Sequence, residues 1–261
     1  MNIPVLLTKS PVDPRDWVAE TIFNTGITLP KTFTTVDNLQ PVRNQGSLST
    51  CAAQTASCMK EWQERIDVCF DNYMSPMFIY NNRSDKTVEG MFSRDVMDIL
   101  NKKGICPESV YPYGSTADIS PYIYDIAKKY TIKGYAAVNT IDTLKQALIQ
   151  SGPCYIAVPV YNYGNRMWKP VQNETMIGGH AMTVVGYNTN GFIIRNTWGS
   201  SWNATGYTIF LYEDWGLQWE VWTAVDEKSG TAPVEPKSSL LTKIKKIFNA
   251  VLDWFGKVTT V

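Results

Sequence analysis

Histidine is almost missing from this chain: among 261 residues there is one, His180. Net charge is missing altogether, with 24 basic residues against 24 acidic. That balance, and the lack of interleaved basic and aromatic residues, leaves no field or surface pattern suited to nucleic acid. Cysteine is sparse (Cys51, Cys58, Cys69, Cys106 and Cys154), and no paired spacing or nearby histidine suggests a metal site. No metal or cofactor is expected. No apolar run is long and uncharged enough to span a bilayer, and Met1–Lys9 has too short an apolar run and no basic lead for a signal peptide. The expected setting is cytoplasmic or within a virion, with reduced thiols; a Cys58–Cys106 or Cys69–Cys106 bridge is the alternative.

What is present gathers around the lone histidine. His180 sits in Gly178-Gly179-His180-Ala181, ahead of Met182-Thr183-Val184-Val185. A solitary histidine is ordinarily a packed or surface residue, but its company here is chemical. Upstream lies Pro41-Val42-Arg43-Asn44-Gln45-Gly46-Ser47-Leu48-Ser49-Thr50-Cys51; downstream lies Asn196-Thr197-Trp198-Gly199-Ser200-Ser201-Trp202. A cysteine attacks as thiolate, and a free thiol with pKa about 8.5 is little ionised at neutral pH. An imidazolium beside it, or a helix N-terminus beneath it, lowers that pKa. Ala52–Glu64 is rich in helix formers and free of glycine and proline, so Cys51 would open a helix with Ala52, Ala53, Ala56 and Met59 near one face.

The other parts follow from the same chemistry. A thioester intermediate needs its oxyanion held, and the Cys51 N–H and the Gln45 amide are the candidate donors. The imidazole needs one fixed tautomer, which Asn196 supplies by accepting from a ring nitrogen. Ala181–Tyr187 and Gly191–Arg195 read as strands joined by a turn at Asn188-Thr189-Asn190-Gly191, so a hairpin would bring His180 and Asn196 to the same end.

These segments resemble the active-site segments of papain-like cysteine peptidases, in the order Gln, Cys, His, Asn and with a long gap between Cys51 and His180. Met74-Ser75-Pro76-Met77-Phe78-Ile79-Tyr80, Lys103–Glu108 leading into Tyr111-Pro112-Tyr113, and Gly152-Pro153 extend the resemblance over roughly 29–225. The opening Ser10–Trp17 and the compact layout look like the bacterial and phage branch. The resemblance implies Cys51 as nucleophile, His180 as general acid/base, Asn196 as orienter and Gln45 as oxyanion donor. It implies Trp198 as the shield of the His–Asn hydrogen bond, Gly90 as a contact to substrate backbone, and Met77, Val158 and Ala181 as walls of an apolar pocket. Two positions depart from the family's usual pattern: Leu48 stands where a disulfide cysteine is common, and Ala52 where an aromatic residue is. Neither change removes a catalytic group.

The expected fold is α+β with two lobes. A helical lobe at about 45–120 carries the nucleophile helix, and an antiparallel sheet or barrel at about 130–225 carries His180 and Asn196, with the cleft between. Residues 51–66 and 74–103 read mainly helical, as do 121–129 and 141–150; strands are expected at 132–138, 154–160, 181–187, 191–195 and 207–212. Residues 1–28 form an arm, short for an inhibitory pro-domain. It is expected to cross the surface of a lobe; a self-inhibiting strand is the sharper alternative. Residues 226–238 read as a linker. In 239–261 the residues Leu240, Leu241, Ile244, Ile247, Phe248, Val251, Leu252 and Phe255 recur at helical spacing against a lysine-rich face. That is an amphipathic helix for a membrane surface or a partner protein.

The function expected is a cysteine endopeptidase acting on polypeptide, or an amidase acting on cell-wall peptide. A catalytically silent, papain-fold binding or structural protein delivered by its tail is the reading from another class. Retention of Gln45, Cys51, His180 and Asn196 argues against it.

Overall fold

The structure is a computed structural model, and it describes residues 3–23 and 26–226. The amphipathic segment 239–261 and all but the first residue of the linker lie outside these. The helical lobe is built on α1 (Cys51–Val68), with α2 (Pro76–Asn81) and α3 (Ser93–Lys102) packed against it. The sequence in α1 suits its depth: Ala52, Ala53, Ala56 and Met59 are all buried, and small side chains allow close approach to the sheet. The helix ends at Cys69, whose left-handed conformation (φ 57°) lets it close the last turn. Helix α2 starts at Ser75, which accepts from Phe78 N (3.1 Å) and donates to Tyr111 O (2.5 Å), with Pro76 at the first helical position. The expected helix over 74–103 is thus two helices. Between them 82–92 is polar and reaches Gly90 at φ 92°, a conformation helices exclude.

The sheet lobe is antiparallel. Strands β1 (Phe33–Thr34), β2 (Gly134–Ala137), β3 (Cys154–Val160), β4 (Gly178–Tyr187), β5 (Gly191–Arg195), β6 (Tyr207–Leu211) and β7 (Glu220–Val225) form one sheet in the order β2-β7-β3-β4-β5-β6. Strand β1 pairs with the far end of β4. The sheet is open, so the barrel form of the expected lobe is corrected: β2 and β6 are edges that do not meet. Strand β7 was not expected; its neighbours β2 and β3 are distant in sequence, and nothing local announces that pairing. Helix α5 (Ile141–Ser151) packs on this sheet, whereas α4 (Pro121–Ala127) joins the helical lobe, where Tyr124 meets Phe78 of α2 with ring centroids 5.5 Å apart.

Alternation along β3 and β4 splits the core in two. Tyr155, Ala157 and Ala181 join the cluster that holds α1, whereas Cys154, Ile156, Val158, Val160, Met182 and Val184 join the one that holds α5, Trp168 and Trp198. All five cysteines are free thiols, so neither candidate bridge forms. Among the described residues no helix is long and apolar enough to cross a membrane.

Ser75→Ala removes the cap of α2 and leaves Tyr111 O short of a donor. Its melting temperature should fall by an amount corresponding to about 1–2 kcal/mol, measured by thermal denaturation.

Candidate active site

Four segments meet at the junction of the lobes. Cys51 is the first residue of α1, and no side chain caps that helix end. The unpaired N–H groups of a first helical turn are therefore available, and those of Cys51 and Ala52, with the N–H of Ala181, face the sulfur and favour thiolate. His180 lies near the start of β4 and Asn196 just past the end of β5. The hairpin register brings the two side chains together, His180 Nε2 to Asn196 Oδ1 at 2.7 Å.

The hydrogen bonds around them fix orientations that heavy-atom positions alone leave open. Thr197 N–H donates to the same Asn196 oxygen (2.7 Å), so oxygen, not nitrogen, faces the ring. Nε2 must then carry the imidazole proton, and Nδ1 is left as the basic nitrogen. Gln45 is fixed in the same way: its Oε1 accepts from Thr197 Oγ1 (2.6 Å), and its Nε2 donates to Leu48 O (2.9 Å) and to Pro4 O (3.3 Å). Thr197, which the sequence reading passed over, therefore orients both amides. Its signal was its place next to Asn196 with a hydroxyl at hand.

Trp198 stacks on the imidazole, ring centroids 4.6 Å apart, and packs against Tyr163 and Trp202. It is buried and covers the His–Asn contact. Met77 and Ala181 share one apolar cluster with Met91. Val158 does not join them: it lies on the face of β3 turned to the other core, and Ala157 takes that place beside Ala181. The expected wall was one residue out of register, which on a strand reverses the face.

The cleft is occupied by the chain's own arm. Gly179 pairs with it on both sides, donating to Val5 O (2.9 Å) and accepting from Leu7 N (3.1 Å), while Thr8 N donates to Met91 O (3.1 Å). Both pairings are parallel, Leu6 with Gly179 and Thr8 with Phe92. A Cβ on Gly178 would fall 1.9 Å from Val5 O, and one on Gly90 would fall 1.8 Å from Leu6 O. The glycines are what let this backbone lie so close. Ile3, Val5 and Leu7 point inward and are buried, whereas Leu6 is 43% exposed. The arm thus lies between the lobes, not over the surface of one. That alternation of apolar residues was the signal in the sequence.

Under this cover Cys51 and His180 are buried. Burial pushes the Cys51 thiol up to about 11 and the His180 imidazole down to about 4, the latter partly offset by Asn196. His180 Nδ1 has no hydrogen-bond partner among the described residues, so the thiol and its expected base are not joined in this form.

The comparisons with known proteins agree with this architecture. Residues 29–221 match the papain family cysteine protease pattern, and the chain belongs to that family. An uncharacterized peptidase C1-like protein of Acanthamoeba polyphaga mimivirus is 28% identical over 72% of this chain and 67% of its own length. The cathepsin L-like proteinase of Phaedon cochleariae is 28% identical over 64% of this chain, and the match spans 55% of that relative. Among solved structures, xylellain, a cysteine protease from Xylella fastidiosa, superposes with a TM-score of 0.76 at 26% identity, covering 86% of this chain and 96% of that one.

An unfolded chain binds a proton at His180 near pH 6.5, whereas the folded one does so near 4. The unfolded state therefore holds more protons between those values. The stability that His180 contributes is complete above about pH 6.5 and is lost as pH falls toward 4, on the order of 3 kcal/mol in all. Thermal denaturation should show the wild-type chain losing stability over that window more steeply than His180→Gln. Parallel profiles would refute the assignment.

Proposed function

We propose that the chain is a cysteine endopeptidase that cuts peptide bonds through a thioester on Cys51. What carries the reading is the fixed pair of amides: Asn196 Oδ1 on His180 Nε2, and Gln45 Nε2 turned into the cleft, both oriented by Thr197. With Nε2 protonated, Nδ1 takes the thiol proton and the sulfur attacks the substrate carbonyl carbon. The carbonyl oxygen becomes an oxyanion between Gln45 Nε2 and the Cys51 N–H. The intermediate collapses as the imidazolium returns the proton to the departing amine. Water, deprotonated by Nδ1, then opens the thioester and frees the second product with Cys51 restored. Trp198 keeps water from the His–Asn bond, which a low dielectric strengthens. Substrate entering the cleft takes the place of the arm, with Gly90 and Gly179 meeting its backbone. Met77, Ala157 and Ala181 contribute the apolar wall.

The test is hydrolysis of an unfolded protein by the intact chain, and by chain cut after folding at an engineered protease site beside Val12, which is 95% exposed. Cys51→Ala and His180→Ala should each lower kcat on the order of 10⁴-fold or more. Gln45→Ala should cost roughly 10²-fold to 10³-fold. Wild-type rates in Cys51→Ala would sink the proposal.

Thr197→Val frees the Gln45 amide to turn and should lower kcat with little change in KM, while Thr197→Ser keeps the wild-type rate. Steady-state kinetics of the two variants separates orientation from a general loss of folding.

A further inference from the structure

The two oxyanion donors of the proposed reaction stand at opposite ends of one loop, 45–50. Gln45, whose side-chain amide is one donor, opens it; Thr50 stands directly before Cys51, whose N–H is the other. Within the loop Leu48 N donates to Gln45 O (3.3 Å) and Thr50 N to Leu48 O (2.8 Å), while Gly46 turns the chain at φ 61°. Those bonds run through Leu48. What joins the two ends directly is a side chain from outside the loop. Tyr113 donates its hydroxyl hydrogen to Gln45 O (2.7 Å), and the same hydroxyl lies 2.7 Å from Thr50 Oγ1. A carbonyl only accepts, so the single phenol hydrogen goes to Gln45 and Thr50 is the donor to Tyr113. The result is a one-way chain from Thr50 through Tyr113 to Gln45, in which each bond polarises the next.

Tyr113 is itself held on several sides. Burial raises its titration above that of a free phenol, although Thr50 and Gln54 oppose the shift, so the hydroxyl stays a donor across the neutral range. Two residues back, Tyr111 is buried; its carbonyl accepts from Ser75 Oγ (2.5 Å) and its hydroxyl accepts from Asn81 Nδ2 (2.8 Å). From the loop side, the Arg43 guanidinium lies 5.8 Å from the centre of the Tyr113 ring and 4.5 Å from that of Tyr73. At the other end Thr50 is fully buried, so its hydroxyl has no bulk solvent to turn to.

We propose that Tyr113 is a positioning residue for the oxyanion site: by bridging Gln45 O and Thr50 Oγ1, it sets the separation of the Gln45 amide from the Cys51 N–H. On the cysteine endopeptidase reading, on which this assignment rests, Tyr113 touches neither substrate nor the reacting atoms. An oxyanion must meet both donors at once, each about 2.7–3.1 Å from where its oxygen will sit. A hydroxyl shared between the two ends of the loop holds that separation to the tolerance of one hydrogen bond. Thr197 and Tyr113 thus divide the work. Thr197 fixes the rotation of the Gln45 amide, and Tyr113 fixes where Gln45 stands relative to the start of α1.

The experiment uses Tyr113→Phe, which removes one oxygen and keeps the ring in its packing, beside the wild-type chain, each intact and cut beside Val12. Two reactions of the same sulfur are compared. Hydrolysis of an unfolded protein passes through an oxyanion. Displacement on iodoacetamide near pH 6, followed at Cys51 by mass spectrometry, takes place at a saturated carbon and forms none. Tyr113→Phe should lower kcat roughly tenfold to a hundredfold with KM changed less than about twofold, and should leave the alkylation rate at the wild-type value. In a Gln45→Ala background the same change should cost far less, because the donor it aims is already gone. Wild-type kcat in Tyr113→Phe overturns the inference. So does a parallel fall in kcat and alkylation, which marks a general disturbance of α1, and so does a full, multiplicative cost in Gln45→Ala. No hydrolysis by any form, with Cys51 alkylated no faster than the exposed Cys69, overturns the peptidase reading and the inference with it. Should Tyr113→Phe fail to fold, Thr50→Val cuts the same bridge at its other end. It should repeat the loss of kcat without loss of alkylation, and Thr50→Ser should restore the rate; wild-type kcat in Thr50→Val overturns the inference.

Discussion

The stitch between the loop before the nucleophile helix and the end of β5 sets everything else. Gln45 N donates to Thr197 O (2.8 Å), Gly199 N to Arg43 O (2.9 Å), and Arg195 reaches back to the carbonyls of Gln40 and Pro41 (2.6 Å each). One residue just past that strand, Asn196, accepts from His180 Nε2; its neighbour Thr197 holds the Gln45 amide. Two of these four bonds join backbone to backbone and two come from the buried Arg195 guanidinium, so a fixed backbone pairing and one buried side chain set the separation at this point together. Below it Arg43 bonds Met74 O, and Glu61 from the middle of α1 accepts from Met74 N. Burial pushes that carboxyl up to about 7 although Arg43 and Arg195 oppose the shift. The loop is therefore fixed from the helix side as well.

Burial acts on Cys51 and His180 alike. A thiol and an imidazole buried together are each more stable neutral, which is why burial moves their titrations in opposite directions. The helix-end N–H groups and Asn196 favour the charged pair. Burial and these fixed dipoles therefore oppose one another at the same two side chains.

The segments that the structure brings together at the lobe junction were the legible ones. Gln45, Cys51, His180 and Asn196 stood out because few side chains can serve as nucleophile, base and orienting amide, and the hairpin at Asn188–Gly191 put the last two at one end. Helix α1 was legible from its alanines, and β3 to β6 from β-rich runs between turn residues. What escaped depended on partners far along the chain. Strand β7 is defined by β2 and β3 on either side; Ile3, Val5 and Leu7 make sense only against Gly178, Gly179 and Met91. The expectation of Val158 as a wall missed for a different reason, since a strand's period of two makes a single residue's slip a change of face.

The strand in the cleft also constrains how this sequence can change. Leu7 shares its apolar cluster with Met91, Ala157 and Ala181, two of which belong to the wall proposed above for a substrate side chain. A substitution there that reshapes the pocket for a new substrate alters the fit of Leu7 in the same stroke. The arm and the proposed pocket are thus written on one set of atoms. A variant lineage would have to revise the arm and this apolar wall together.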